Sequence, residues 1–166
     1  VGNWSWASVD HAGRRSIKTK ANNIAATALG SHAIAEGTQA TAVGAAATAN
    51  GMLSSAFGSE ANAYGAVSLA AGFKAEAADE SVAVGVGSKA VGNASVAVGI
   101  ASEASAERSM ALGAGSISSE VNSVALGTDS ITTAATPVAG FAGATPVGVV
   151  SVGSAGNERQ IQNLAA

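Results

Sequence analysis

The few residues in this chain that could support chemistry do not assemble into a recognisable reactive site. The segment Gly85-Val86-Gly87-Ser88-Lys89-Ala90 matches the loose dinucleotide-binding pattern G-x-G-x-x-A. That pattern binds a pyrophosphate only where a strand, a tight turn and the N-terminus of a helix follow one another. No helical pattern follows Gly85 and the same glycine recurs along the chain, so we interpret the match as a by-product of an internal repeat.

Metal-binding and nucleophilic residues give no better candidate. His11 and His32 are the two histidines, they lack the spacing of metal ligands, and the chain has no cysteine. Serine is abundant, but no serine is accompanied by a base and an orienting group in a recognisable pattern. The acidic residues do not form the aspartate-rich ranks of calcium-binding solenoids. The sequence therefore favours a non-enzymatic protein with no metal and no cofactor.

Small side chains dominate the composition. Alanine contributes 41 and glycine 21 of the 166 residues, whereas aromatic residues make up 4% and charged residues 11%. This composition disfavours a globule built on large apolar side chains, and the low charge also disfavours disorder. The net charge of −3 argues against a nucleic acid as partner. We expect a fold with a narrow interior, such as a thin solenoid.

Glycine recurs with a period that determines the architecture. Eight glycines follow one another at steps of 14 residues, with one step of 13. Each follows an apolar residue, which itself follows an alanine; these glycines are Gly30, Gly44, Gly58, Gly72, Gly85, Gly99, Gly113 and Gly127. A repeat of this length indicates a solenoid in which each coil packs on its neighbours.

Alternation before each glycine assigns the two faces of the coil. Side chains of a strand point alternately to opposite faces, so SVAVG at residues 95–99 places serine and alanine on one face and both valines on the other. Fourteen residues accommodate two short strands and two turns. Because such a coil is narrow, we expect alanine and serine inside it. The alternative places the valines inside and the alanines outside, and a monodisperse monomer in solution would favour it.

The larger side chains then form an apolar stripe along the outside of the coils. A monomer does not tolerate a stripe of this extent, so we expect it to be the seam of a homotrimer. The residues predicted for this trimer interface are Val82, Val84, Val96, Val98, Met110, Leu112, Val124 and Leu126. The outward positions of the second strand are mostly polar and predict a solvent face; they include Asn62, Glu76, Lys89 and Glu103.

Departures from the 14-residue repeat mark the boundaries between the coils, an inserted loop and a C-terminal tail. Residues 22–132 carry the eight coils, and the short coil loses its residue in a turn between Ala77 and Ser81, which preserves the parity of both strands. Residues 133–148 contain both prolines and predict an inserted loop. Residues 149–166 return briefly to the repeat and end in NERQIQNLAA, whose composition is typical of a helix.

Residues 1–21 differ from the coils in charge and composition. They contain Trp4 and Trp6 and carry a net charge of +3, whereas residues 22–132 carry −6. We interpret residues 1–21 as a cap over the open edge of the first coil, or as the remnant of a preceding head segment. A basic and aromatic binding patch is the alternative.

The repeats resemble the head of trimeric autotransporter adhesins, the YadA-like family of Gram-negative bacteria. The resemblance is carried by ESVAVGVGSKA (80–90), ASVAVGIASEA (94–104) and NSVALGTDS (122–130). FAGATPVGVVSVG (141–153) resembles the family's head insert. The tail from residue 150 resembles its neck, with neck residues Asn157, Glu158, Arg159, Gln160 and Ile161. The resemblance implies a left-handed parallel β-roll, an obligate homotrimer and a coiled-coil stalk beyond the neck.

The resemblance also implies a location and a ligand. Members of the family are virulence-associated adhesins on the bacterial cell surface, held by a C-terminal outer-membrane domain that we expect outside this chain. In the family the motif N-S-V-A-I-G-x-x-S is tied to collagen binding. The candidate ligand-binding residues that follow are Asn122, Ser123, Val124, Ala125, Leu126, Gly127 and Ser130, with leucine in place of isoleucine at position 126. The alternative is that these residues only complete the repeat, with Val124 and Leu126 in the seam.

The expected function is multivalent, non-enzymatic adhesion. Many weak contacts along a rigid rod would bind host matrix proteins such as collagen or fibronectin, or host cells.

We expect no nucleic-acid partner, because the net charge is negative. We also expect no membrane contact by this segment, because no run approaches the roughly 18–20 apolar residues of a membrane span. Residues 1–20 show no signal peptide, so the chain is either cytosolic or part of a larger exported protein. A structural spacer without a ligand site is the alternative function. An ice-binding solenoid would need a flat rank of threonines and an acyltransferase helix a hexapeptide repeat, and the sequence provides neither.

Overall fold

This computed structural model describes residues 6–7, 19–140 and 143–163, in which all strands belong to two parallel sheets. The first sheet contains, in spatial order, β1 (Trp6–Ala7), β3 (Thr27–Leu29), β5 (Thr41–Val43), β7 (Ser55–Phe57), β9 (Leu69–Ala71), β11 (Val82–Val84), β13 (Val96–Val98), β15 (Met110–Leu112), β17 (Val124–Leu126) and β18 (Val150–Ser151). The second sheet contains β2 (Lys20–Ala21), β4 (Ile34–Ala35), β6 (Thr48–Ala49), β8 (Asn62–Ala63), β10 (Glu76–Ala77), β12 (Lys89–Ala90), β14 (Glu103–Ala104) and β16 (Ile117–Ser118). From β1 to β17 the chain alternates between the sheets, which is the winding of a β-solenoid. The predicted all-β solenoid is confirmed, and within the described ranges no helix is long and apolar enough to cross a membrane.

Strands pair in register with the strand one coil away. Val82 pairs with Val96 and Ala83 with Ala97, an offset of 14 residues that holds from β3 to β17 except between β9 and β11, where it is 13. Because each strand of the first sheet from β3 to β17 has three residues, equivalent residues stack in three columns. We refer to them as the first-residue, second-residue and third-residue columns.

Each coil consists of two equivalent halves of seven residues, except that one half of the 13-residue coil has six, and the 14-residue period conceals this division. The first half is illustrated by residues 94–100, in which Ala94 has a left-handed backbone (φ 54°), the strand follows, and the half ends in Gly99 (φ 140°) and Ile100. The second half begins in the same way at Ala101 (φ 53°). In several coils this half also ends in a glycine whose Cβ would overlap the backbone of the next coil, at Gly37, Gly51, Gly65 and Gly92. The left-handed residues make the tight turns that allow so few residues to close a coil.

The interior of the coil is lined by alanine and serine. All alanines of the second-residue column are buried, from Ala28 in β3 to Ala125 in β17. The largest fully buried side chains are Thr132 and a set of serines, so the interior holds nothing larger than a threonine. The prediction that small residues face inward is confirmed, and the alternative with the valines inside is wrong.

Two of the buried serines have hydroxyls without a hydrogen-bond partner among the described residues. Ser54 Oγ and Ser109 Oγ are both inaccessible to solvent and unpaired. A buried hydroxyl that makes no hydrogen bond destabilises the fold. At the equivalent position of an earlier coil the chain has Ala40, which is also fully buried, so a methyl group fits there.

Replacing either of these serines by alanine should therefore stabilise the protein. We expect Ser54→Ala and Ser109→Ala each to raise the free energy of unfolding by about 1 kcal/mol. The matched control is Ser81→Ala, because Ser81 Oγ donates to the Gly92 carbonyl at 2.7 Å and its loss should lower stability. Urea unfolding followed by circular dichroism measures all three, and equal destabilisation by all three would contradict the prediction.

The 13-residue coil keeps both sheets intact, as the sequence predicts. The deletion lies in the turn between β10 and β11, and both strands pair in register with their neighbours on either side. Asp79 links this turn to the preceding coil, because its Oδ1 accepts a hydrogen bond from the backbone N–H of Ala66 at 2.7 Å.

At the N-terminal edge, β1 pairs with β3 and so adds a strand to the first sheet. Residues 1–5 and 8–18 lie outside the described residues, and with them Trp4 and most of the predicted cap. In the described part, β1 is the outermost strand of the first sheet, and the assignment of residues 1–21 as a cap stays a prediction.

At the C-terminal end, the chain leaves the coils after Thr132 and returns as β18, which pairs with β17. The returning segment is held by two backbone hydrogen bonds, from Val124 to Val149 (2.8 Å) and from Ile131 to Gly153 (2.9 Å). Residues 149–153 therefore lie across the end of the solenoid.

The tail differs from its composition-based prediction. Residues 157–163 form no helix, and their side chains are exposed. A helix of this length is marginal in water, because few internal hydrogen bonds offset the cost of the first turn and no apolar partner packs against it.

Candidate functional site

The outer surface of the first sheet is largely apolar. Val82, Val96, Met110 and Val124 stack in the first-residue column, and Val84, Val98, Leu112 and Leu126 stack in the third-residue column. In the single chain the third-residue column is the more open, with Leu126 47% exposed. The structure thus brings all eight predicted seam residues together on one face. This face is a candidate for contact with a large apolar surface.

Three further apolar side chains extend this face around one corner of the coil. Phe73, Val86 and Ile100 follow the repeat glycines of successive coils and are 44%, 49% and 62% exposed. Lys74 Nζ lies 5.1 Å from the centre of the Phe73 ring, a cation–π distance. Sequence reasoning missed this corner, although the position after the repeat glycine is apolar in three consecutive coils.

The outer surface of the second sheet is mostly polar, as predicted, with Ile34 and Ile117 as its apolar members. Glu76, Lys89 and Glu103 stack in register with Asn62 below them. The lysine lies between two glutamates, so neighbouring charges alternate in sign. Charged side chains in this arrangement favour contact with water over contact with another sheet.

The candidate ligand motif is divided between the two faces of its coil. The side chains of Ser123, Ala125 and Ser130 are fully buried. Ser123 Oγ accepts a hydrogen bond from the Val149 N–H at 2.9 Å, which attaches the returning segment to the last coil. These three side chains hold the coil together and do not reach a ligand.

The remaining motif residues are accessible in the single chain. Asn122 occupies the left-handed turn position (φ 56°) with its side chain exposed, and Val124 and Leu126 lie on the apolar face. Gly127 faces the guanidinium of Arg159, which a Cβ would approach at 3.3 Å. Asn122 is therefore the one motif side chain that is both polar and solvent-facing.

Arg159 connects the tail to the last coil. Its Nη1 donates to Ser130 Oγ at 3.0 Å and to the Val152 carbonyl at 2.9 Å, and its Nη2 donates to the Thr128 carbonyl. Among the predicted neck residues, Asn157 donates its backbone N–H to the Ser154 carbonyl at 2.8 Å. Gln160 and Ile161 are exposed.

An open groove of about 480 Å³ lies beside this arginine. Its lining combines apolar side chains with one acid and one base: Ile131, Val150, Val152, Glu158 and Arg159. The N–H of Gly156 donates to Glu158 Oε1 at 2.9 Å, and backbone donors of this kind lower the pKa of the Glu158 carboxyl. The carboxylate form is thus favoured at the rim of the groove.

The residues whose patterns could suggest catalytic chemistry belong to ordinary turns and strands of the repeat. Gly85–Ala90 forms a turn and β12, not the start of a helix, which confirms the interpretation of its glycine pattern. Ser31 Oγ lies 2.8 Å from His32 Nδ1, but both are exposed neighbours in one turn. His11 lies outside the described residues, and within those residues no group of three or more His, Cys, Asp or Glu side chains could hold a metal ion.

Comparisons with known proteins agree with this geometry. The model of the YadA head domain repeat matches residues 21–47, 35–61, 77–102 and 104–130, more than half of the chain. The crystal structure of the collagen-binding domain of the Yersinia adhesin YadA is similar, with a TM-score of 0.55 and 29% sequence identity. The match covers 86% of this chain and 65% of that chain, so the present chain spans less than two thirds of the Yersinia domain. A comparison with curated proteins finds no match.

Proposed function

The chain belongs to the family of YadA head repeats, and from this membership we propose that it is a head segment of a surface adhesin that binds extracellular matrix. The observation that carries the proposal is the match of its solenoid to the collagen-binding Yersinia domain over 86% of its length. Adhesion is also the role that the surfaces suit best, because the outer faces are extended and the repeat multiplies any contact they make.

The proposed adhesin is a homotrimer assembled through the apolar face of the first sheet. Two columns of larger apolar side chains run along this face from β11 to β17, and such a face on a single chain would aggregate. A three-fold arrangement buries it on all three copies, because rotational symmetry closes the contact. The left-handed winding expected from the family belongs to the same proposal.

The tail is proposed as the neck through which the head continues into a coiled-coil stalk. Arg159 supports this reading, since its hydrogen bonds fix the start of the tail on the last coil. Residues 133–148 are then the head insert, and residues 1–21 a cap or the remnant of a preceding segment. In this arrangement the head lies on the bacterial cell surface, held by an outer-membrane anchor beyond the neck.

Within the proposed trimer, Asn122 is the motif residue that we assign to ligand contact. Three of the other motif side chains are sealed in the coil, and Val124 and Leu126 are in the proposed seam. The role of these five residues would be to hold Asn122 at a fixed corner of each subunit. Three equivalent corners on one rod would bind a long matrix protein by avidity.

Binding of the purified trimer to immobilised collagen, fibronectin and laminin tests the proposal. The informative variant is Asn122→Gly, which keeps the left-handed turn and removes the amide. Its control is Ala94→Gly, at the equivalent turn position of another coil (φ 54°). We expect Asn122→Gly to weaken collagen binding by about tenfold and Ala94→Gly to leave it unchanged.

The outcomes separate the parts of the proposal. Equal binding by both variants would remove Asn122 from the ligand site but leave adhesion in place. A trimer that binds none of the three matrix proteins and no host cells would instead support a structural spacer. A monodisperse monomer in light scattering would contradict the trimer itself.

A further inference from the structure

The apolar face of the first sheet is not uniform along the rod. Its first-residue column begins with hydroxyl side chains at Thr27, Thr41 and Ser55 and changes to apolar side chains at Leu69. From Leu69 to Val124 every member of this column is apolar. The column therefore has a polar part in the first three coils and an apolar part in the coils that follow.

The three hydroxyls have no hydrogen-bond partner on the described residues and are half-buried in the single chain, so they are left to hydrogen-bond with solvent there. A dry contact between copies would remove that water without supplying a fixed partner. The hydroxyls of three copies could exchange hydrogen bonds only if water or another copy were suitably placed at each level. A dry interface is thus disfavoured in the first three coils.

The third-residue column does not compensate for this difference. It is apolar in the first three coils, with Leu29 50% and Phe57 43% exposed. Each of these coils therefore contributes one larger apolar side chain to the face, whereas each coil from β11 onward contributes two. Because association through apolar contact scales with the apolar area removed from water, the first three coils contribute less per coil.

We infer that the subunit interface has two parts: a dry, closed part from β11 to β17 and a hydrated part in the first three coils that opens locally while the trimer stays assembled. The inference rests on the proposed trimer and concerns how its copies meet. The partner at this surface is the second and third copy of the same chain. Local opening would expose Leu29 and Phe57 at the N-terminal end of the rod.

Cysteine accessibility tests this inference, since the chain contains no cysteine. Thr41→Cys and Val96→Cys place a thiol at the same position of a hydrated and a dry coil, and both residues are half-buried in the single chain. Lys89→Cys, on the exposed face of the second sheet, is the reference. The measurement is the rate of maleimide modification of the intact trimer by mass spectrometry, with each rate divided by that of the same variant in urea.

We expect the thiol at position 41 to react within about tenfold of the reference and the thiol at position 96 to react at least about 100-fold more slowly. Adding Thr27→Val and Ser55→Val to Thr41→Cys should slow its modification by about tenfold, because the first three coils then close. If Thr41→Cys does not fold, Ser55→Cys replaces it.

Two results would contradict the two-part interface and the proposed trimer seam separately. Equal, strong protection at positions 41 and 96 would overturn the two-part interface and leave the proposed trimer standing. Modification at position 96 as fast as at the reference would remove the proposed seam altogether.

Discussion

Gly99→Ala is expected to destabilise the solenoid by more than about 4 kcal/mol, an effect at the upper end for a single substitution. Gly99 has φ 140°, a conformation open almost exclusively to glycine. A Cβ on it would also meet the carbonyl carbon and oxygen of Gly113 in the next coil well inside 3.0 Å. Both atoms belong to the backbone, so no side-chain rotation relieves the overlap.

The control is Gly87→Ala, which makes the same chemical change at a glycine that stacking does not require. Gly87 has φ 65° and open space around its Cβ position. The equivalent residue of the next coil, Ala101, already adopts φ 53° with a side chain. We expect Gly87→Ala to cost about 1–2 kcal/mol, the ordinary penalty of a left-handed residue. Urea unfolding of both variants measures the difference, and equal losses would show that contact between coils does not explain the glycine column.

The fold could be predicted from the sequence because one constraint acts on every coil. Stacking brings the same backbone atoms together at each level, so the same position must be glycine each time. Narrow spacing of the sheets likewise requires alanine or serine at the inward positions, and both signals repeat often enough to be read directly. The seven-residue half-coil was missed, although glycine recurs at that spacing from Gly30 to Gly72.

The candidate site could be predicted less well, because a motif of consecutive strand residues alternates between the two faces. In residues 122–130 the serines and the alanine are buried, so a sequence match alone could not separate structural from accessible residues. Arg159 was predicted only as a member of the neck. Its hydrogen bonds to the last coil join residues about 30 positions apart in the chain, and no local pattern signals such a contact.

The two-part interface depends on chemical differences between equivalent residues of successive coils, which the repeat period does not reveal. The repeat predicted one seam from the valines of the later coils, and the same register continues to Thr27 in the first coil. Register makes equivalent residues neighbours, but it does not make them chemically alike. The change from hydroxyl to apolar side chains has meaning only once the column is known to lie on one outer face.

Ala97→Leu is expected to destabilise the protein by about 3 kcal/mol or more, at or beyond the usual upper limit for overpacking. Ala97 is fully buried in the second-residue column, with Ala83 and Ala111 in register below and above it. Coils repeat at about 4.8 Å along the column, so the added carbon atoms cannot extend along the axis. They cannot extend across the coil either, because tight turns fix the distance between the two sheets at every level.

Ala114→Leu is the matched control: this exposed residue occupies the position of Ile100 in the preceding coil, and the change should stay within about 0.5 kcal/mol. Thermal unfolding followed by circular dichroism compares the two variants. A tolerated leucine at position 97 would mean that the sheets can separate, and the rigid, narrow interior on which the proposed adhesive rod depends would then be wrong.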